Sequence, residues 1–374
     1  MSSERWTDQF PNDMRLRGDE PADKAVEALY ARHQLDGVQN LMDLLVRNDD
    51  IPHADLPSEI KDYLASTSNL PTPSRDTVLA GQQLFAEYGP EMAMLLAFCS
   101  LPVAYSARRG VQVLYRTGYL ADRPLRRVAQ TSQMILDVMA PGGLDPDGRG
   151  RRSAQKVRLM HAAIRYLLRH DPKNPWPDDY GVPINQEDLA GTLMTFSVGV
   201  LRGLEKLHIE VTDAQAQSYV DTWNVVGRMM GVVETLIPIT VADANALADQ
   251  IFARQFDPSP EGLALTTALR NVMKSRIVPP FRGLVDAMFR HLLPVEVADG
   301  FEIPHRPLEA AVVEAGIPTA HWLDMMLGGA VRRRVFREFS IAVLQVLTFV
   351  EAGGRRTRFH IPQGLRDAWQ LAAQ

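Results

Sequence analysis

Cysteine is almost missing from this sequence: Cys99 is the only one in 374 residues. One thiol excludes an intrachain disulfide, a cysteine-based zinc knuckle and an iron–sulfur cluster held by this chain alone. It lies in the largely apolar run 92–105, where a buried, inert thiol is the expected state, and it fits a reducing compartment. Long hydrophobic runs are also lacking. The longest, 92–105 again, is too short to span a bilayer and is interrupted by Pro102. No basic stretch followed by an apolar one, and no twin arginine, opens the chain, so the expectation is a cytoplasmic protein with no membrane span. Positive charge is not in excess. Forty Lys and Arg face 45 Asp and Glu for a net charge of −5, which argues against a nucleic-acid partner. The local basic clusters, Arg149 with Arg151 and Arg152, and Arg332 to Arg334, read as solvated surface. Neither a G-x-x-x-x-G-K-[ST] phosphate loop nor a G-x-S-x-G elbow occurs.

Apolar residues make up 46% of the chain, enough for a large core. They recur at three- and four-residue spacing over 25–46, 78–88, 91–114, 123–139, 153–168, 186–206, 213–230, 241–256 and 320–350, which predicts helices. No segment alternates as a strand does. Pro102 should break or kink the third helix. Ser153 and Asn185 look like N-caps, the second followed by Gln-Glu-Asp, with acids placed to suit the helix dipole. Residues 140–150 and 170–184, rich in Pro and Gly, read as loops. The expected organisation is a polar N-terminal arm over 1–20 and one all-helical domain over 21–374, acting as a monomer or small homo-oligomer.

The helix 153–168 carries the chemistry. At about 100° per residue, Arg158, His161 and Arg165 fall within roughly 60° of one another. A neutral imidazole is a good ligand for haem iron, and guanidinium groups on either side suit carboxylates such as haem propionates. A satisfied core histidine with arginines paired to neighbouring acids is the alternative. The other histidines, His33, His53, His170, His208, His291, His305, His321 and His360, are scattered without the spacing of a compact metal site. On the preceding helix Arg127, Gln130 and Thr131 share a face that continues into Met134 and Val138. An arginine and a hydroxyl over an apolar cavity suit stabilisation of negative charge on bound dioxygen or peroxide. In 181–192, Asn185 and Asp188 are polar candidates, although a capped helix start explains both.

Taken in order, these elements resemble the latex-clearing protein, or rubber oxygenase, family. The resemblance rests on Arg127 and Thr131, on Arg158-Leu-Met-His-Ala-Ala-Ile-Arg165 with its histidine thirty residues after Thr131, and on Gly181-Val-Pro-Ile-Asn-Gln-Glu-Asp-Leu-Ala-Gly-Thr192. Met14 to Asp23 and Tyr219 to Gly231 also match. It implies a globin-like helical core enlarged by additional helices around haem b. His161 would be the iron ligand, Arg158 and Arg165 part of the haem site, and Arg127 and Thr131 the distal pair. The sequence departs from the family in three respects. Gln130 stands where a lysine able to cap the iron is expected, so the sixth site should be open or hold water. Residues 92–121 contain no acid, so the expected general base is missing. No export signal is seen. The resemblance therefore points to a haem b oxygenase or peroxygenase acting on a small apolar metabolite with dioxygen or peroxide, rather than on polyisoprene. A non-catalytic haem carrier or sensor, and a haem-free helical protein with another apolar ligand, are the alternatives.

Overall fold

The computed structural model describes residues 13–32, 57–67, 73–117, 131, 134–275 and 277–326. Arg127, Gln130 and the stretches 33–46 and 327–350 of the expected helices lie outside them. After a helical turn at 13–15 come α1 (20–32), α2 (Ser58–Ser66) and α3 (Arg75–Leu95). A π turn, Leu96–Ser100, leads into α4 (Leu101–Tyr105) and α5 (Arg108–Arg116), followed by α6 (134–139) and α7 (Arg149–Arg169). The centre of the bundle is α8 (Gln186–Phe196), α9 (Val198–Lys206), α10 (Asp213–Met229) and α11 (Val241–Gln255). It closes with α12 (Pro260–Ser275), α13 (Gly283–Leu292), α14 (Val295–Gly300) and α15 (Pro307–Met326). The protein is all-α, and among the described residues the only extended pairing is an isolated bridge between Ala107 and Phe256.

Local sequence explains the breaks. The helix expected over 78–88 and the first residues of that expected over 91–114 are joined as α3, with non-helical backbone at Tyr88 (φ −116°, ψ 21°), two residues before Pro90; the rest of 91–114 is the π turn, α4 and α5. Pro102 has no N–H to give, and the helix meets it by widening into the π turn. The single helix expected over 186–206 is two, parted at Ser197 (φ −98°, ψ −94°). Ser153 is not a cap. Helix α7 starts earlier, with Gly148 as N-cap, and the Ser153 hydroxyl donates to Asp137 Oδ2 at 2.7 Å. Caps do hold elsewhere: Asn185 accepts from the Asp188 amide, and Thr212 with Gln215 and Thr240 with Asp243 form capping boxes.

Helix α10 lies along α3 in the most extensive helix pair. The approach is close because residue 81 is glycine; a Cβ there would press into Thr222 and the Ser218 carbonyl. From α10, Tyr219 and Trp223 are fully buried, and Trp223 stacks on Phe196 at 5.1 Å. Each such side chain contributes roughly 1.5–3 kcal/mol by leaving water. A second, smaller core joins α1 and α2 to α7 through Val26, Leu29, Ile60, Leu159 and Ala163. Residues 13–20 were expected in a polar arm, yet Met14, Arg15 and Asp19 are buried, because partners on α7, α8 and α11 receive the charges. Among the described residues no helix is long and apolar enough to cross a membrane.

Candidate functional site

A cavity of about 760 Å³ runs between α3, the π turn, α4, α5, α7, α8, α9, α10 and α11. Its wall is mostly apolar, with Phe85, Leu96, Leu114, Met134, Met160, Ile164, Trp223 and Phe252 among the lining side chains. Half-buried Arg202 and exposed Lys206, Asp249 and Glu296 are the charged residues at its rim. The cavity is large and apolar enough for a cofactor or a small hydrophobic ligand.

Half-buried His161 is in the wall, and among the described residues it is the only imidazole there. Helix α7 also contributes Val157, Met160 and Ile164. On the helical wheel these four residues centre roughly 110° away from Arg158, so the cavity face and the arginine face are different sides of α7, with His161 between them. Arg158 and Arg165 do not line the cavity. Both are buried and turn to the N-terminal segment. Arg158 donates through Nε to Asp19 Oδ2 at 2.5 Å and through Nη2 to Oδ1 at 2.6 Å. Arg165 pairs with Asp23 and donates to the carbonyls of Pro183 and Ile184, both at 2.9 Å. The second of these bonds braces Ile184, a β-branched residue in the left-handed region (φ 52°) that itself lines the cavity. Each guanidinium is therefore already neutralised, while among the described residues the cations in the cavity wall are Arg202 and Lys206.

Of the expected distal group, Thr131 lines the cavity beside Met134, and Val138 is fully buried. Cys99 is in the wall as well. Burial pushes its thiol up to about 11, against the pull of Lys206 and Arg202, so it is not a thiolate at neutral pH.

The start of α8 holds what the sequence did not reveal. Asn185 is a structural cap, and Asp188 receives Arg15 Nη1 at 3.0 Å and Asn185 Nδ2 at 2.8 Å. Glu187, between them in the chain order Gln-Glu-Asp, reads as an exposed first-turn acid. Instead it is 1% exposed and lines the cavity. Its Oε1 accepts from Gln255 Nε2 at 2.9 Å, and Arg254 Nε lies 3.7 Å from the same oxygen. Burial raises the Glu187 carboxyl above its ordinary range, opposed by the Gln255 bond and by Arg15. Nothing local distinguishes Glu187 from its acidic neighbour; only the tertiary partner at position 255 does.

The family to which the chain belongs gives its class, an oxygenase-type catalytic domain. Over residues 81–322 the chain matches the family described as ER-bound oxygenase mpaB/B'/Rubber oxygenase, catalytic domain, and it belongs to that family. It is 28% identical over 307 residues to the rubber oxygenase of Streptomyces sp. (strain K30), covering 80% of this chain and 74% of that one. It is also similar to a solved latex clearing protein, LCP, in the closed state. There the TM-score is 0.77 at 25% identity, over 94% of this chain and 95% of the other.

Proposed function

We propose that this protein is a haem b-dependent oxygenase that oxidises a small apolar substrate with dioxygen or peroxide, His161 being the protein ligand to iron. The reading rests on His161 standing in the wall of an apolar cavity within an oxygenase-family domain. The donor set fits the group. Among the described residues no three His, Cys, Asp or Glu side chains gather to hold a bare metal ion, whereas one imidazole in an apolar wall suits a macrocycle that supplies the remaining ligands. Bound there, haem would supply the iron at which the oxidant is activated. The chain's own residues have separate tasks. Thr131 and Arg127 would donate hydrogen bonds to an oxygen-bearing group in the distal half of the cavity. The apolar wall would hold the substrate and exclude water. Arg158 and Arg165 would act as positioning residues, fixing the helix that carries His161 against the N-terminal segment rather than meeting the cofactor's carboxylates.

The test is an absorption spectrum with a pyridine haemochrome assay on the purified protein. A Soret band is expected, with haem content sharply reduced in His161→Ala. A variant with unchanged haem content and spectrum would remove His161 from the ligand position.

A further inference from the structure

Helix α15 turns an apolar face to the solvent. Leu308 is 80% and Val312 60% exposed, and Ala311, Ala315 and Gly316 are exposed beside them. At about 100° per residue these five span roughly 140° of the wheel, with no polar side chain among them. A Cβ built on Gly316 would meet no atom within 4 Å, so nothing among the described residues stands over that turn. The opposite side is the one in use: Val313 is buried, Ala310 packs on the main core, and Arg306 reaches Asp286 of α13 at 3.6 Å. A surface helix ordinarily turns its polar side outward, so a face this apolar marks a contact.

The sequence continues for 48 residues past α15, outside the described residues, and it has what such a face needs. Gly328 and Gly329 come within three residues of the helix end, where glycine stops a helix and lets the chain reverse. Beyond them Val335, Phe339, Ala342, Val343, Val346 and Val350 recur at three- and four-residue spacing and fall within roughly 100° of one another on a helical wheel. With the reversal centred on Gly329, an antiparallel return sets Val346 opposite Val312, Val350 opposite Leu308 and Ala342 opposite Gly316. Charge agrees. Residues 327–374 carry eight Arg against three Asp and Glu, in a chain of net charge −5. Arg332, Arg333 and Arg334 fall just past the C-terminal end of α15, the negative end of its dipole.

We propose that residues 332–350 form a helix that folds back antiparallel on α15 and covers the face of Leu308, Ala311, Val312, Ala315 and Gly316. The C-terminal segment is then part of the body of the protein. It also stands behind the cavity. Helix α15 lies along α13, and α13 ends at Leu292, whose carbonyl accepts from Lys206 Nζ at 2.7 Å in the cavity wall. The covering helix is the outermost of three layers backing that part of the wall.

The near absence of cysteine supplies the test. Cys99 is half-buried and its thiol is pushed up to about 11, so an introduced thiol reports almost alone. In the full chain, Val312→Cys should react with a maleimide at least ~10-fold more slowly than Leu16→Cys, whose site is 69% exposed, and adding Val346→Asp should restore the rate. Mild oxidation gives a second measurement that does not need the aspartate variant to fold. Val312→Cys with Val346→Cys should close a disulfide within one chain, whereas Val312→Cys with Leu344→Cys, on the other side of the second helix, should not. Equal labelling rates at 312 and 16 overturn the covering. Slow labelling that speeds up on dilution, or a disulfide that joins two chains, gives the face to a second copy and overturns the named occupant. Slow labelling with no disulfide between 312 and 346 overturns it as well.

Discussion

Arg158 and Asp19 are joined by two parallel hydrogen bonds, both ends buried, across 139 residues of sequence. Together with Arg165 and Asp23, this pairing fastens the N-terminal segment to the back of the helix that carries His161. Arg158→Ala leaves a buried carboxylate without its cation and should destabilise by about 3–5 kcal/mol. Replacing both partners, Arg158→Met with Asp19→Leu, should restore most of the loss. Urea unfolding of the single and double variants checks this; equal stability of wild type and Arg158→Ala would show that the pair contributes nothing.

Gly231 has φ +87° and sits against that same pair; a Cβ would press into Asp19 Oδ2 and lie 2.7 Å from Arg158 Nε. Gly231→Ala should cost ~2 kcal/mol or more, the sum of left-handed strain and the clash. With Asp19→Ala already in place much of the clash is gone, so the same substitution should cost only ~1 kcal/mol. Additive losses in the double variant would contradict the contact.

Glu187 and Asp286 should respond to pH with opposite sign. Burial raises Glu187 above the ordinary value of 4.5. As pH rises past that value the unfolded chain ionises first, so stability falls until the folded carboxyl ionises too. Glu187→Gln keeps a group able to accept from Gln255 but cannot ionise. Its stability relative to wild type should therefore grow from little at pH 4 to a clear gain at pH 8, measured by thermal or urea unfolding. A flat difference would mean that Glu187 ionises normally.

Asp286 is fully buried, and burial alone would raise it; Lys274 and Arg270, each within 2.7 Å, hold it below its ordinary 3.8 instead. Its contribution is present above that value and is lost as pH falls through the lowered one. Asp286→Asn leaves Arg270, Lys274 and Arg306 facing one another and should cost about 3–5 kcal/mol at neutral pH, less in strong acid. A cost that does not shrink in acid would point to packing rather than charge.

The helical architecture was legible because periodicity reports a buried face directly. The helices over 283–300 were missed because Pro279, Pro280, Gly283, Pro294 and Gly300 cut the pattern into short pieces, whereas α12, sixteen residues with no proline past its first, was missed although its periodicity is present. In the site, His161 was legible as the imidazole of a motif-bearing helix. Its arginine neighbours were legible as charges but not as to their direction, since a wheel gives angles around an axis and not which neighbour lies at each angle. Glu187 was invisible for the same reason: its partner, Gln255, is 68 residues away.

Arg15 bonds to Gln255, 240 residues further along the chain. On a ribosome making roughly 5–20 residues per second, that interval is about 12–48 s. The partners of the N-terminal segment arrive in stages over that interval: Arg158 and Arg165 of α7 first, then Asp188 of α8, and Gln255 of α11 last. The fastening of the N-terminal segment therefore starts on α7 and is completed only when α11 is made, behind the helices that form the cavity.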